Sequence, residues 1–154
     1  MSSALGSSSS ATASTAPKAA SPQLDPNFAD ASAFVRAAGL VLDELTGERI
    51  LGHIDLGPAH HTPWGIVHGG VYATAIESAA SIGASTAVRP QNLVAVGLTN
   101  TTHFLRSATS GRVIVRGVAL NQGRTQQLWQ VDIKDEQGRL LAHGEVRLQN
   151  VAAG

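Results

Sequence analysis

The most constraining feature of this sequence is a stretch of small and apolar residues that surrounds one carboxylate. From Val71 to Val88 the only charged side chain is that of Glu77. The stretch is long enough for about five helical turns, and a helix with so little charge is expected to be buried on most sides. A buried carboxylate is costly unless it is paired, hydrogen-bonded or needed for chemistry. Glu77 is therefore predicted to be the centre of an active site.

Two glycines stand at the start of this predicted helix, in the sequence His68-Gly69-Gly70. Glycine lets a backbone approach a ligand closely, and the N–H groups at a helix N-terminus favour negative charge. The backbone amide of Gly69 or Gly70 is therefore predicted to stabilise a developing oxyanion. The alternative is that the glycines only allow close packing between the helix and a strand.

The composition argues against several classes of function. Lys and Arg together number 11, as do Asp and Glu, so neither a nucleic acid nor a membrane surface is expected as a partner. The chain has no cysteine, which excludes disulfides and a thiol nucleophile and is compatible with the cytoplasm, the predicted location. No stretch is apolar enough to predict a transmembrane span.

The order of the predicted elements indicates an α+β architecture. Residues 1–22 are rich in Ser and Ala and are expected to form a disordered tail, while residues 23–154 are expected to form one domain. A short helix over Phe28–Ala38 precedes a strand hairpin, and the long helix runs from about Gly69 to Val88. The predicted strands are Leu40–Leu45, Arg49–Leu56, Leu93–Arg106, Arg112–Leu120, Arg124–Lys134 and Arg139–Gln149. The last four are predicted to form an antiparallel meander, giving one helix wrapped by a curved antiparallel sheet.

Alternation along the strand that follows the long helix predicts which of its side chains share a face. The predicted face carries Val94, Val96 and Leu98, then Asn100, Thr102 and Phe104. Small residues of the helix are expected to leave room for a bound molecule, at Ala73, Thr74, Ala80 and Ala84.

Several motifs between about Gly39 and Val151 belong to one recognisable pattern. They are Trp64-Gly65-Ile66-Val67-His68-Gly69-Gly70, Glu77 with Ser81 four residues later, the segment from Asn100 to Arg106, and Gln126-Gln127-Leu128-Trp129. Their spacing, followed by the four-strand pattern, resembles the hot-dog-fold acyl-CoA thioesterases of the phenylacetate-degradation type. The acidic residue is glutamate, as in the branch that includes the 4-hydroxybenzoyl-CoA and 1,4-dihydroxy-2-naphthoyl-CoA thioesterases. That branch often has Gln where this chain has Thr62, and this departure weakens the inference of aromatic substrates.

The resemblance implies a thioester hydrolase that uses no cofactor. In that reaction Glu77 would attack the thioester carbon or activate a water as general base, and the sequence leaves both routes open. Ser81 lies on the same helix face and would hold the carboxylate or position water. His68 would hydrogen-bond near the thioester, and Thr62 would occupy the place of the usual glutamine. The alternative for Ser81 is that it lies near Glu77 by chance. The alternative for His68 is that its side chain only stabilises the loop.

The resemblance also implies a site for the phosphates of CoA, which favour arginines and backbone donors. Arg106, Arg124 and Thr125 match positions where relatives touch CoA, and Gly70 and Asn100 are predicted substrate contacts. Solvated surface arginines are the ordinary alternative. A pantetheine channel is predicted beside Gln126, Gln127 and Trp129, with the core as the alternative place for the tryptophan.

Other functions have weaker support in the sequence. His60 and His61 lack the ligand spacing typical of zinc, so no metal site is predicted. No Gly-x-Ser-x-Gly elbow or dinucleotide fingerprint occurs. A non-catalytic acyl-CoA- or lipid-binding module is the alternative function, although the carboxylate of Glu77 favours an enzyme, and a hydratase on the same fold is a third possibility.

The expected fold also carries a prediction about assembly. A single hot-dog protomer leaves one edge of its sheet uncovered. Relatives pair at this edge, place the active site between subunits and then form tetramers. The chain is therefore expected to be a homo-oligomer, a tetramer built from dimers.

Overall fold

The computed structural model describes residues 31–153, which form one sheet and one long helix. The elements are α1 (Ala33–Ala37), β1 (Val41–Leu45), β2 (Arg49–Leu56), α2 (Gly69–Val88), β3 (Leu93–Phe104), β4 (Gly111–Gln122), β5 (Gln126–Asp135) and β6 (Leu140–Ala152). The predicted tail and the first three residues of the predicted short helix lie outside the described residues. The long helix and β2 have the predicted boundaries, whereas β4 continues through Asn121 and Gln122, beyond its predicted end at Leu120.

The strands form a single antiparallel sheet in the order β1-β2-β4-β5-β6-β3, and α2 packs against one of its faces. The predicted meander is therefore wrong for β3, which pairs with β6 at the edge of the sheet. The reason is that β4 has only two edges. One edge is taken by β2 and the other by β5, so β3 has to pair at the free edge of β6.

A β-bulge interrupts β3 near its middle. Gly97 pairs with Leu148 and Thr99 pairs with Arg147, so Leu98 is an extra residue on the bulged strand. A bulge reverses the alternation of side chains beyond it. The predicted common face is consequently wrong. The face toward α2 carries Ala95 and Gly97 before the bulge and Asn100, Thr102 and Phe104 after it, while Val96 and Leu98 are exposed.

The core lies between α2 and the sheet and includes one buried polar group. Trp129 is fully buried, and its indole N–H donates to Gln127 Oε1 at 3.1 Å. The Gln127 amide donates in turn to the carbonyl of Ala84 at 3.0 Å and to Asn150 Oδ1 at 2.9 Å. Gln127 and Trp129 are thus satisfied within the core and do not line the predicted channel. Ala80 and Ala84 are also fully buried, so they leave no room for an acyl group.

The contact between Gly83 and Trp129 gives a test of this packing. A Cβ atom added at Gly83 would lie 2.5 Å from the indole ring, which is completely enclosed. We expect Gly83→Ala to lower the free energy of unfolding by about 1–2 kcal/mol, because overpacking outweighs the better helix propensity of alanine. Chemical denaturation measures the change. Gly57→Ala is the matched control, since a Cβ at Gly57 meets nothing within 4 Å. Equal stability of Gly83→Ala and wild type would contradict the described packing.

Candidate active site

The loop that leads into α2 is fixed to the connection that follows β3. The backbone N–H of Val67 donates to the carbonyl of Ala108 at 2.8 Å, and His61 Nε2 lies 2.6 Å from the carbonyl oxygen of Thr109. The backbone N–H of His68 donates to the carbonyl of His60 at 2.8 Å. These bonds set the position of the glycines at the start of the helix, and they give His61 a role that requires no metal.

His68 is the N-cap of α2. Its backbone is extended, and its Nδ1 accepts a hydrogen bond from the N–H of Gly70 at 2.8 Å. An N-cap satisfies one of the amide donors that a helix start leaves unpaired. The amide of Gly70 is therefore occupied, whereas the amide of Gly69 has no acceptor among residues 31–153. Of the two predicted oxyanion donors, Gly69 is the one that the structure leaves available.

The carboxylate of Glu77 is held by two polar side chains. Asn100 Nδ2 donates to Glu77 Oε2 at 2.9 Å, and the hydroxyl of Ser81 donates to Oε1 at 3.4 Å. Glu77 is partly buried in the single chain, and no ion pair reaches it within the described part of the protein. The arrangement is a carboxylate that is oriented by neutral donors, with no cationic side chain paired to it in the described residues.

The bulge in β3 brings the backbone of the strand against the same carboxylate. A Cβ atom at Gly97 would lie 2.5 Å from Glu77 Oε1, so only glycine fits there without moving the side chain. Asn100, on the other side of the bulge, reaches the second carboxylate oxygen. Gly97 was not among the site residues predicted from the sequence. An isolated glycine within a strand pattern often marks a bulge or a close approach of another group to the backbone, and this pattern could have indicated Gly97.

The other predicted site residues do not join this group within one protomer. Thr62 belongs to its own turn, where its hydroxyl accepts from the N–H of Trp64 at 3.3 Å. Arg106 follows β3 beside the start of α2, whereas Arg124 and Thr125 precede β5 at the opposite end of the sheet, next to Asn150. At 3.3 Å per residue along β3, these two ends are roughly 35 Å apart, so the two arginines of one protomer cannot hold the same phosphate.

Arg106 lines an open cavity of about 710 Å³ between the connection after β3 and the β5–β6 hairpin. Arg112 and Arg139 also line it, but each is engaged by a carboxylate. Arg112 donates two hydrogen bonds of 2.7 Å to Asp55, and this lowers the pKa of the Asp55 carboxyl. Arg139 pairs with Asp135 at 2.7 Å. Of the three arginines, Arg106 is the one without an ion pair in the described structure.

One buried polar atom near the start of α2 has no partner. The hydroxyl of Tyr72 is enclosed and makes no hydrogen bond within residues 31–153. Burial raises the pKa of this tyrosine, so the hydroxyl is neutral at physiological pH. Its position inside the core makes it a packing residue, and the candidate site does not use it.

Two features, a metal-binding cluster and a membrane-spanning helix, are absent from residues 31–153. No group of three or more His, Cys, Asp or Glu side chains is arranged to hold a metal ion. No helix in this part of the chain is long and apolar enough to cross a membrane.

Comparisons with known proteins identify similar chains. A family model described as "Thioesterase superfamily" matches residues 65–142. The protein Rv1847 of Mycobacterium tuberculosis, provisionally named an esterase, is 41% identical over 117 residues, which are 75% of this chain and 84% of that protein. Its solved structure aligns with a TM-score of 0.75 at 40% identity and covers 79% of this chain and 98% of its own.

Two further similar proteins carry more specific names. The structure of a thioesterase from Haemophilus influenzae aligns with a TM-score of 0.74 at 27% identity, over 83% of this chain and 89% of the other. A 1,4-dihydroxy-2-naphthoyl-CoA hydrolase of Listeria monocytogenes is 38% identical over 81 residues, or 53% of this chain and 65% of the hydrolase.

Proposed function

The chain belongs to the thioesterase superfamily and has its hot-dog fold, and on this premise we propose that it hydrolyses acyl-CoA thioesters with Glu77 as the reacting carboxylate. That it is a thioester hydrolase follows from the family. The observation that carries the assignment to Glu77 is its oriented carboxylate, the only charged group on α2. The resemblance to a hydrolase named for a naphthoyl-CoA ester supports CoA esters as substrates. We place the enzyme in the cytoplasm, as the sequence predicts.

The proposed chemistry uses Glu77 in one of two ways. Its Oε1 either attacks the thioester carbon to give an anhydride that water then hydrolyses, or takes a proton from a water that attacks the carbon. In both routes the thioester oxygen gains negative charge, and the thiolate of CoA leaves. The free N–H of Gly69, at the positive end of the α2 dipole, is the proposed donor to that oxygen. Ser81 is proposed to hold Oε1 or the attacking water.

Glu77 and Gly69 of one protomer are too far apart to act on one carbonyl. They are eight residues apart on α2, which corresponds to about 12 Å along the helix axis. Groups that act on one thioester must each lie about 3 Å from it. We therefore propose that Glu77 of one protomer works with Gly69 of a second, so that the site lies between two antiparallel α2 helices.

The sheet offers a surface for this pairing. β3 is an edge strand, and Val96 and Leu98 beside its free edge are 44% and 48% exposed. An uncovered edge strand of 12 residues with exposed apolar side chains favours pairing with another chain. In such an assembly Arg106 of one protomer and Arg124 and Thr125 of another can approach the same CoA, which one protomer does not allow. We propose a homo-oligomer, a tetramer built from such dimers.

The function is tested by the release of free thiol from a panel of short, long and aromatic acyl-CoA esters. We expect Glu77→Gln to lower kcat about a thousandfold, because a positioned acid–base group contributes 10²–10⁴. Glu145→Gln, an exposed carboxylate on β6, is the control and should keep wild-type kcat. A folded Glu77→Gln enzyme with wild-type activity would contradict the assignment. Wild-type protein that binds these esters but hydrolyses none would favour a non-catalytic binding module.

The shared site is tested by mixing two inactive variants. Gly69→Pro removes the proposed oxyanion donor but suits the first residue of a helix, and the extended His68 is compatible with a following proline. We expect a loss of 10²–10³ in kcat. Gly69→Ala is the control, since its Cβ also meets the ring of Phe104 at 3.1 Å but its N–H remains.

Co-expression of Glu77→Gln with Gly69→Pro should then restore activity. In randomly paired two-fold dimers one intact site forms in each mixed dimer, so about one quarter of the wild-type activity is expected. Light scattering should give a dimer or tetramer. A monomeric wild-type enzyme, or a mixture no more active than its components, would contradict the shared site.

A further inference from the structure

Three polar side chains form a continuous hydrogen-bonded chain that ends on the reacting carboxylate. The hydroxyl of Thr102 donates to Asn100 Oδ1 at 2.7 Å. The amide of Asn100 donates to Glu77 Oε2 at 2.9 Å and to the carbonyl of Ala73 at 3.3 Å. Thr102 and Asn100 both lie on β3, beyond its bulge, while Ala73 and Glu77 lie on successive turns of α2. This series of hydrogen bonds therefore links the edge strand to the middle of the helix.

These partners leave the Asn100 amide only one orientation. Its oxygen accepts from a hydroxyl, and its nitrogen faces a carboxylate and a carbonyl, which can only accept. A flipped amide would place two oxygens against each other at Glu77 and would lose the bond to Ala73. The donor is thus held on Oε2 and cannot easily turn away.

The two oxygens of Glu77 consequently differ. Oε2 receives the close hydrogen bond from Asn100, whereas Oε1 has only the longer contact of 3.4 Å with Ser81. Oε1 also lies against the backbone of Gly97, which has no side chain. Oε1 is the oxygen left for attack on a thioester or for taking a proton from water. The hydrogen bond from Asn100 therefore determines which of the two carboxylate oxygens is free to react.

Neutral donors alone hold the carboxylate of Glu77 in the described part of the chain. No other charged residue lies on α2, and the only titratable residue of β3 is His103, whose ring stacks on His143 across the sheet face away from the helix. Within residues 31–153 the neutral donors Asn100 and Ser81 are therefore the polar side chains that bond the carboxylate.

We infer that Asn100, fixed by Thr102, is a positioning residue that holds the carboxylate of Glu77 with Oε1 free to react. This inference rests on the proposed role of Glu77 and replaces the predicted role of Asn100 as a contact for CoA. The position of Asn100 in the fold supports a positioning role over a contact with CoA. Asn100 lies level with the second turn of α2, whereas the arginines proposed to touch CoA lie at the two ends of the sheet.

The test is the measurement of kcat and KM for acyl-CoA hydrolysis by wild type and variants. Asn100→Ala removes the donor, so kcat should fall at least about tenfold. Asn100→Asp has nearly the same shape but cannot donate a hydrogen bond to Glu77, so it should lower kcat at least as much. A residue that only filled space would tolerate this change. KM should change little in either variant.

Thr102 provides an independent pair of variants. Thr102→Val removes the hydroxyl that fixes the amide and should lower kcat, by less than Asn100→Ala. Thr102→Ser keeps the hydroxyl and should give the smaller change of the two. Thr101→Ala is the matched control, since Thr101 is exposed and points away from Glu77 on the same strand, and its kcat should equal that of wild type.

The possible failures can be told apart. An active Glu77→Gln enzyme would refute the proposed function itself. If Glu77→Gln is inactive but Asn100→Ala or Asn100→Asp keeps wild-type kcat, the positioning role is refuted. A raised KM with unchanged kcat would return Asn100 to the role of a CoA contact. Should Asn100→Ala fail to fold, the comparison of Thr102→Val with Thr102→Ser decides the question, and equal kcat values in that pair refute the inference.

Discussion

The hydrogen bond between Asn100 and Glu77 ties the edge strand β3 to the middle of α2. It forms because the bulge at Leu98 turns the distal half of β3, so that Asn100 faces the helix. On the near side of the bulge, Gly97 leaves room for the other oxygen of the carboxylate. Within residues 31–153, the one charged group of this helix is thereby held by neutral side chains. The local irregularity of one strand determines how the proposed reacting group is presented.

The geometry of α2 has a second consequence. The helix supplies a free amide at its first residue and a carboxylate two turns later, and its rise per residue keeps them apart. In the proposed arrangement, one protomer contributes to two different sites. The exposed edge of β3 and the separation of Arg106 from Arg124 favour the same interpretation, in which a second copy completes each site. Assembly and catalysis would then depend on the same strand.

The sequence predicted the parts of the structure that depend on local pattern. α2 has the predicted limits because a stretch with one charged residue follows two glycines and ends before Arg89-Pro90. β2 also has the predicted limits. Glu77, Ser81 and Asn100 were each singled out, although nothing in the sequence showed that Asn100 touches the carboxylate. The pairing of β3 with β6 could not be read from local pattern, because it depends on which edges the other strands leave free. The bulge escaped prediction because alternation assumes regular pairing, and the buried bonds of Gln127 escaped it because their partners are distant in sequence.

The most direct test of the central claim is the activity of Gly97→Ala. An added Cβ would lie 2.5 Å from Glu77 Oε1, and the flexible carboxylate would have to move while the exposed strand remains in place. We predict that kcat for thioester hydrolysis falls about tenfold or more, with a free energy of unfolding within about 0.5 kcal/mol of wild type. A stable Gly97→Ala enzyme with wild-type kcat would contradict the claim that β3 holds the reacting carboxylate in place.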